Sequence, residues 1–387
     1  MKTTQMKKSI LNGVSAADPT LKLFGGRYYI YPTDGGVSEQ GFCAWSSDDL
    51  RVWRPEGMAL ALRDVAWAKG DAWAPDIVAR NGIYYFYFCT GSAIGVATAT
   101  TPIGSFKDAL GRPLIPYESD MSSIDPMAFI DDDGQAWLYW GATFDGRLFV
   151  RKLNPDMISF AGEKSLSFDY KPDAYYHCEG SFMFKRDGRY YFMWSEYNWA
   201  SNPRLDDDPS YRVNFAVADS PAGPFKRIPA RLPLLSTDMA RGFVGPGHNS
   251  VLRLPDTGEH LIAYHWHSGD AVRHVAIDVL KFGADGLPWT VNPSPRGVPA
   301  RPVRASFALR KTGAFRFGET IVFETRASDA LEMSLLDTRS SLPLWQGAHN
   351  DTIEIENLPR GFYRVALVAR LRGGKRAVSA PLDFDVV

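Results

Sequence analysis

Asp18, Asp125 and Glu179 stand far apart in the sequence, yet each opens a short apolar segment, and Asp76 and His248 occupy comparable places. Carboxyl groups gathered in one aromatic-lined pocket can break a glycosidic bond, because one protonates the departing oxygen while another activates water. Taken singly, any of these acids reads as a strand cap or a turn residue bonded to backbone amides. The regular placement of all five is what argues that they converge.

That regularity comes from an internal repeat. A turn glycine followed by an aromatic strand recurs at Gly26-Arg27-Tyr28-Tyr29, Gly82-Ile83-Tyr84-Tyr85, Gly134-Gln135-Ala136-Trp137 and Gly188-Arg189-Tyr190-Tyr191, with a weaker copy at Gly258-Glu259-His260-Leu261. The glycines are 56, 52, 54 and 70 residues apart, and each polar anchor lies six to ten positions upstream of its glycine. Thr100–Phe106 and Asp219–Phe225 repeat a turn that would precede an outer strand, and Ser46–Trp53 holds that place in the first copy. Such units stack radially as propeller blades, with the first strand of each beside the axis, so their anchors meet at one mouth. The expected fold is all-β: a five-bladed β-propeller over residues 1–297 and a small β-sandwich over 298–387. The sandwich is expected from the linker-like Pro293–Gly297 and from the alternation in Thr320–Thr325, Thr352–Ile355 and Phe362–Val368. It reads as a structural cap on the propeller rather than as a sugar-binding module.

Composition narrows the function. Across 387 residues, 43 Lys and Arg nearly balance 44 Asp and Glu, which argues against generic nucleic-acid binding. The content of 34 Gly, 26 Pro, 23 Phe, 17 Tyr and 11 Trp favours short aromatic strands joined by turns. Cys43, Cys89 and Cys178 have neither disulfide nor zinc spacing and read as reduced thiols. No apolar run is long enough to span a membrane, and the basic start lacks a signal-peptide core. A soluble, cytoplasmic location is therefore expected, unless an export signal has been removed.

The motifs Ala17-Asp18-Pro19, Trp73-Ala74-Pro75-Asp76, Ile124-Asp125-Pro126, Glu179-Gly180 and Gly245-Pro246-Gly247-His248, in this order at blade spacing, resemble those of glycoside hydrolase family 43 over about residues 18–290. The resemblance implies a five-bladed inverting enzyme acting mainly on α-L-arabinofuranosides and β-D-xylosides. It makes Asp18 the general base, Glu179 the general acid and Asp125 a third carboxylate that orients Glu179 and raises its pKa. It also implies substrate-binding roles for Trp73, Arg273 and His248. His248 would contact the site directly or through water on a Ca2+ or Na+ ion near the axis, and no cofactor is required. Asp76 falls outside the catalytic set.

The expected activity is exo-acting, on oligosaccharides from plant polysaccharides, in a closed pocket shaped by loops 34–40 and 199–211. An exo-galactosidase or galactofuranosidase is the alternative of the same fold. A noncatalytic sugar-binding propeller would typically have lost one carboxylate. The retaining propellers that include invertases open with Asp-Pro-Asn-Gly, where this chain has Asp18-Pro19-Thr20-Leu21. His265 and His267 share a strand face without a third metal ligand, and Asp131–Gly134 reads as a hairpin turn. The acidic run 206–208 reads as a solvated loop. Cys178 reads as packing, since His177 next to it points to the opposite strand face.

Overall fold

A computed structural model of the chain describes residues 9–387 except 12, 35–39, 69, 119–121, 144–145, 170–175, 199–208, 268–271 and 295–296. Most of the two loops expected to shape the pocket, and the acidic run 206–208, lie outside the described residues. Four sheets have four antiparallel strands each, taken consecutively from the chain. They are β1 (Ala16–Phe24), β2 (Arg27–Asp34), β3 (Gly41–Ser47) and β4 (Arg54–Ala61); then β5 (Trp73–Arg80), β6 (Ile83–Thr90), β7 (Ala93–Ala99) and β8 (Lys107–Asp108). The third holds β9 (Met127–Ile130), β10 (Ala136–Trp140), β11 (Arg147–Leu153) and β12 (Phe160–Asp169); the fourth holds β13 (Tyr176–Arg186), β14 (Arg189–Asn198), β15 (Arg212–Ala218) and β16 (Lys226–Arg227). A fifth sheet has β17 (Val244–Arg253), β18 (His260–His267) and β19 (Arg273–Leu280).

The first strands touch in a closed circuit, β1 to β5 to β9 to β13 to β17 and back to β1, which makes the five sheets a radial propeller. Ile10 helps close the ring by donating its amide to Val275 O of β19 at 3.2 Å. The aromatic copies of the repeat are the second strands. Each lies between neighbouring sheets and is buried on both faces, so Tyr31, Phe86, Tyr139, Phe192 and Tyr264 are fully buried. This double burial is why those segments are continuously apolar rather than alternating. The repeated turns at Thr100–Phe106 and Asp219–Phe225 do precede the outer strands β8 and β16.

Beyond β19 the chain runs back along the propeller, where Val291 and Val298 join its core, before entering a second body. Strands β20 (Ala305–Leu309), β21 (Ile321–Ala327) and β24 (Thr352–Ile355) form one sheet. The other holds β22 (Ala330–Asp337), β23 (Leu342–Ala348), β25 (Gly361–Leu371), β26 (Arg376–Val378) and β27 (Leu382–Val386). The two enclose one apolar core around Phe323, Leu335, Leu367 and Phe384. Among the described residues no helix is long and apolar enough to cross a membrane.

Candidate active site

The first strand of four of the five blades is irregular at its start. Register shifts fall between Ala17 and Thr20, Trp73 and Asp76, Glu179 and Phe182, and Gly247 and Ser250. At the matching point of every blade one residue takes a left-handed conformation: Asp18 (φ 47°), Ala74 (φ 42°), Asp125 (φ 56°), Gly180 (φ 65°) and His248 (φ 45°). Bulges of this kind re-aim side chains, and left-handed backbone is costly for residues other than Gly, so four such residues and one glycine at equivalent places mark a built site. The second blade contributes Ala74 here, and Asp76 sits two residues deeper. Asp76 accepts bonds from the Thr20 hydroxyl at 3.3 Å and the Ala128 amide at 2.8 Å and pairs with Lys22 Nζ at 2.7 Å. It therefore ties three first strands together and is structural, in keeping with its exclusion from the catalytic set.

The other anchors meet. Asp18 Oδ1 lies 3.3 Å from His248 Nδ1 and 3.1 Å from His265 Nδ1, and Asp18 Oδ2 accepts the Thr33 hydroxyl at 2.6 Å. Thr33 in turn accepts the Ala74 amide at 2.7 Å, which couples the first two blades. Asp125 Oδ2 accepts the Gly180 amide at 2.9 Å and lies 3.8 Å from His248 Nδ1. A Cβ on Gly180 would stand 3.3 Å from the His248 ring, so glycine permits both the positive φ and the close approach. Glu179 Oε1 accepts the Tyr211 hydroxyl at 2.7 Å, and Glu179 Oε2 lies 3.1 Å from His177 Nε2.

Electrostatics divides the three acids. Burial would push Asp18 up, but His248, His265 and Arg273 outweigh it and hold the carboxyl well below the usual aspartate range. Burial raises Asp125, the Glu179 and Asp18 carboxylates add to the rise, and His248 and the Gly180 amide offset only part, leaving it at about 7. Burial acts on Glu179 too, but the donors His177 and Tyr211, with His248, keep it below the ordinary glutamate value. On balance Glu179 is lowered where a rise was expected: in the free site Asp125 is the raised member of the pair, because Glu179 commands the better donors. His248 is raised, since the three carboxylates overcome its burial.

Arg273 opens β19 opposite His267, and its charge acts on both Asp18 and His248. Trp73 opens β5, half-buried, next to Ala74. His248 turns Nδ1 to the carboxylates, and among the described residues no three His, Cys, Asp or Glu side chains are grouped to hold a metal ion. Cys178 is a buried free thiol in the core, which agrees with its reading as packing.

Three members of the site escaped the sequence reading. His177 precedes Glu179 by two residues on a regular stretch of β13, where alternation puts both on one face. His265 pairs directly across from Gly247, next to an anchor, and so meets Asp18. Tyr211 carries no motif; its ring stacks on His265 at 5.6 Å while its hydroxyl reaches Glu179.

A buried ring of three carboxyls, Asp18 held well below the usual aspartate range and Asp125 raised beside Glu179, is the equipment of glycosidic hydrolysis. Comparison with known proteins agrees with this chemistry. The chain is 36% identical over 308 residues to the beta-D-galactofuranosidase xynD of Aspergillus niger, covering 74% of this chain and 85% of that one. It superimposes on a thermostable family-43 glycoside hydrolase with a TM-score of 0.65 at 30% identity, covering 75% of this chain and 96% of that one. An alpha-L-arabinofuranosidase from Clostridium thermocellum gives a TM-score of 0.60 at 28% identity, covering 73% and 95%. The model of Glycosyl hydrolases family 43 matches residues 6–288, which takes in all five blades and every carboxyl of the site, so the chain belongs to that family of inverting glycoside hydrolases.

Proposed function

We propose that the chain is an exo-acting hydrolase of terminal α-L-arabinofuranosyl and β-D-xylosyl residues on oligosaccharides derived from plant polysaccharides. The observation that carries the reading is the division of charge within one ring: Asp18 is held well below the usual aspartate range, while Asp125, buried beside Glu179, is raised to about 7. Asp18 takes a proton from water as the water oxygen bonds the anomeric carbon. The bond to the departing oxygen breaks with its electron pair on that oxygen, which receives the proton of Glu179. Asp125 holds the Gly180 amide beside Glu179 and, when charged, favours the protonated acid. Arg273 and Trp73 would bind the terminal sugar, the first with its fork of donors and the second as a wall.

The relative from Aspergillus niger favours a second reading, hydrolysis of β-D-galactofuranosides. The two furanosides share their ring configuration and differ by one exocyclic carbon, so a pocket for one is nearly a pocket for the other. Wild type and Glu179→Gln should be assayed on 4-nitrophenyl α-L-arabinofuranoside, β-D-xylopyranoside, β-D-galactopyranoside and β-D-galactofuranoside, with NMR of the first-formed anomer. Turnover of the arabinofuranoside by the wild type with inversion is expected, and Glu179→Gln should lose most on a glycoside whose leaving group needs protonation. Preference for the galactofuranoside would establish the second reading, and intact substrates throughout, polysaccharides included, would point to a binding propeller.

A further inference from the structure

The two oxygens of Glu179 are not equivalent. Oε1 accepts from Tyr211, whose phenol is pushed well above its ordinary pKa by burial and by the Glu179 and Asp18 carboxylates. Tyr211 therefore stays a donor, and Oε1 stays an acceptor. The proton that Glu179 delivers must then sit on Oε2, and Oε2 is 3.1 Å from His177 Nε2. That line holds one hydrogen, either as Oε2–H donating to a neutral imidazole or as Nε2–H donating to the carboxylate.

We infer that His177 is the proton-holding partner of Glu179, so that the catalytic proton belongs to the Nε2–Oε2 pair rather than to the carboxyl alone. The inference rests on Glu179 being the general acid. The surroundings support a shift of the proton within the pair. Both side chains are about nine-tenths buried, at 11% and 13% exposure, so little water remains once a sugar covers them. An ion pair is dearer to bury than its neutral form, so exclusion of water by substrate moves the proton from Nε2 to Oε2, where it is needed. Asp125 is not the evident source, because its Oδ2 is engaged with the Gly180 amide.

The cycle balances. Cleavage sends the Oε2 proton to the departing oxygen, leaving Glu179 as carboxylate and His177 neutral. The water that attacked has left one proton on Asp18, and solvent carries a proton from Asp18 back to His177 Nε2 once product leaves. His177 reaches the departing oxygen only through Glu179, so it is a positioning residue that loads the acid. The Tyr197 ring, with its centroid 5.0 Å from that of the imidazole, packs beside it.

The test separates loading of the acid from structural support by the leaving group. A 4-nitrophenolate departs without protonation, whereas a methoxide does not. kcat/KM is measured for wild type, His177→Gln and Glu179→Gln on the 4-nitrophenyl and methyl glycosides of the sugar the enzyme accepts. Gln keeps a donor toward Oε2 but cannot pass a proton on. For His177→Gln the loss on the methyl glycoside should exceed the loss on the aryl glycoside by about ten-fold or more, in the range of acid catalysis. Equal losses on both substrates, or none on either, would overturn the inference while a leaving-group-dependent loss in Glu179→Gln kept the acid in place. Equal losses in Glu179→Gln would instead remove the acid assignment and the inference with it. His177→Asn gives the same comparison if the Gln variant does not fold.

Discussion

Asp125 stands where a charge is least welcome, buried beside two other carboxyls, and the fold is strained by that placement. Its pKa is about 7 in the folded chain against 3.8 for an ordinary aspartate. The folded state thus binds the proton more tightly, and stability falls as pH rises from about 4 to about 7 and then stays level. Each pKa unit is about 1.4 kcal/mol, so the ionised carboxyl costs on the order of 1–4 kcal/mol at pH 8. Asp125→Asn keeps an acceptor for the Gly180 amide and removes the charge. Chemical denaturation should find the variant more stable than wild type at pH 8 with a much smaller gain at pH 4.5, and nearly inactive at both. A gain independent of pH would show that the carboxyl is not the strained group. The sequence made the three carboxyls legible because each lies in a short motif at a blade start. Their protonation was not legible, since it turns on His177 and Tyr211, one overlooked on the same strand face and the other arriving from the edge of another strand.

The element that aims the site is the left-handed start of each first strand, bulged in four of the five blades, and the same element explains why Tyr211 could not be read from sequence. Tyr211 immediately precedes β15 and occupies the space beside Gly247 of β17; a Cβ on Gly247 would fall 1.8 Å from its ring. Gly247 lies next to the anchor His248 and opposite His265, so a missing side chain in one blade is what seats the ring of another. No spacing within either segment reports that complementarity. Gly247→Ala should displace the ring from both Glu179 and His265, lowering kcat about ten-fold or more at an overpacking cost of about 1–3 kcal/mol in stability. Tyr211→Phe removes the hydroxyl alone. If the displacement is the cause, the double variant loses no more activity than Gly247→Ala, because the alanine has already taken the hydroxyl from the acid. Additive losses in kcat would show that the hydroxyl keeps its place despite the added methyl.

At the scale of the whole molecule, the sandwich sits on the hairpin ends of the first strands, the ends away from the anchors. Gly26 meets Ser306, Gly82 meets Lys311 and Thr312, and Gly134 packs so closely on Phe362 that a Cβ would lie 2.4 Å from its ring. Asp256 accepts the Val378 amide, while the hairpin at Gly188 has nothing within 4 Å of its Cβ position. Four of the five turn glycines that announced the repeat are thus near the contact with the second body, a use the repeat did not disclose. Between the bodies lies a cavity of about 490 Å3 lined by the first strands of all five blades and by Phe307, Arg364 and Pro381. The contact is fastened by Arg80, at the end of β5, which holds Asp385 with Nε at 2.7 Å and Nη2 at 2.5 Å and donates to Gly134 O at 2.9 Å. The Arg80 side chain is 4% exposed and that of Asp385 14%, so removing one partner strands a buried charge. Arg80→Met should cost about 3–5 kcal/mol, and restoring neutrality with Asp385→Asn should recover part of it. Calorimetry decides whether the two bodies share one stability. A single transition shifted down in Arg80→Met and partly restored in the double variant, with kcat retained below the transition, is the outcome of a sandwich that braces the propeller. If only a minor early transition moved while the main one stayed, the sandwich would be an appendage and the axis would stand without it.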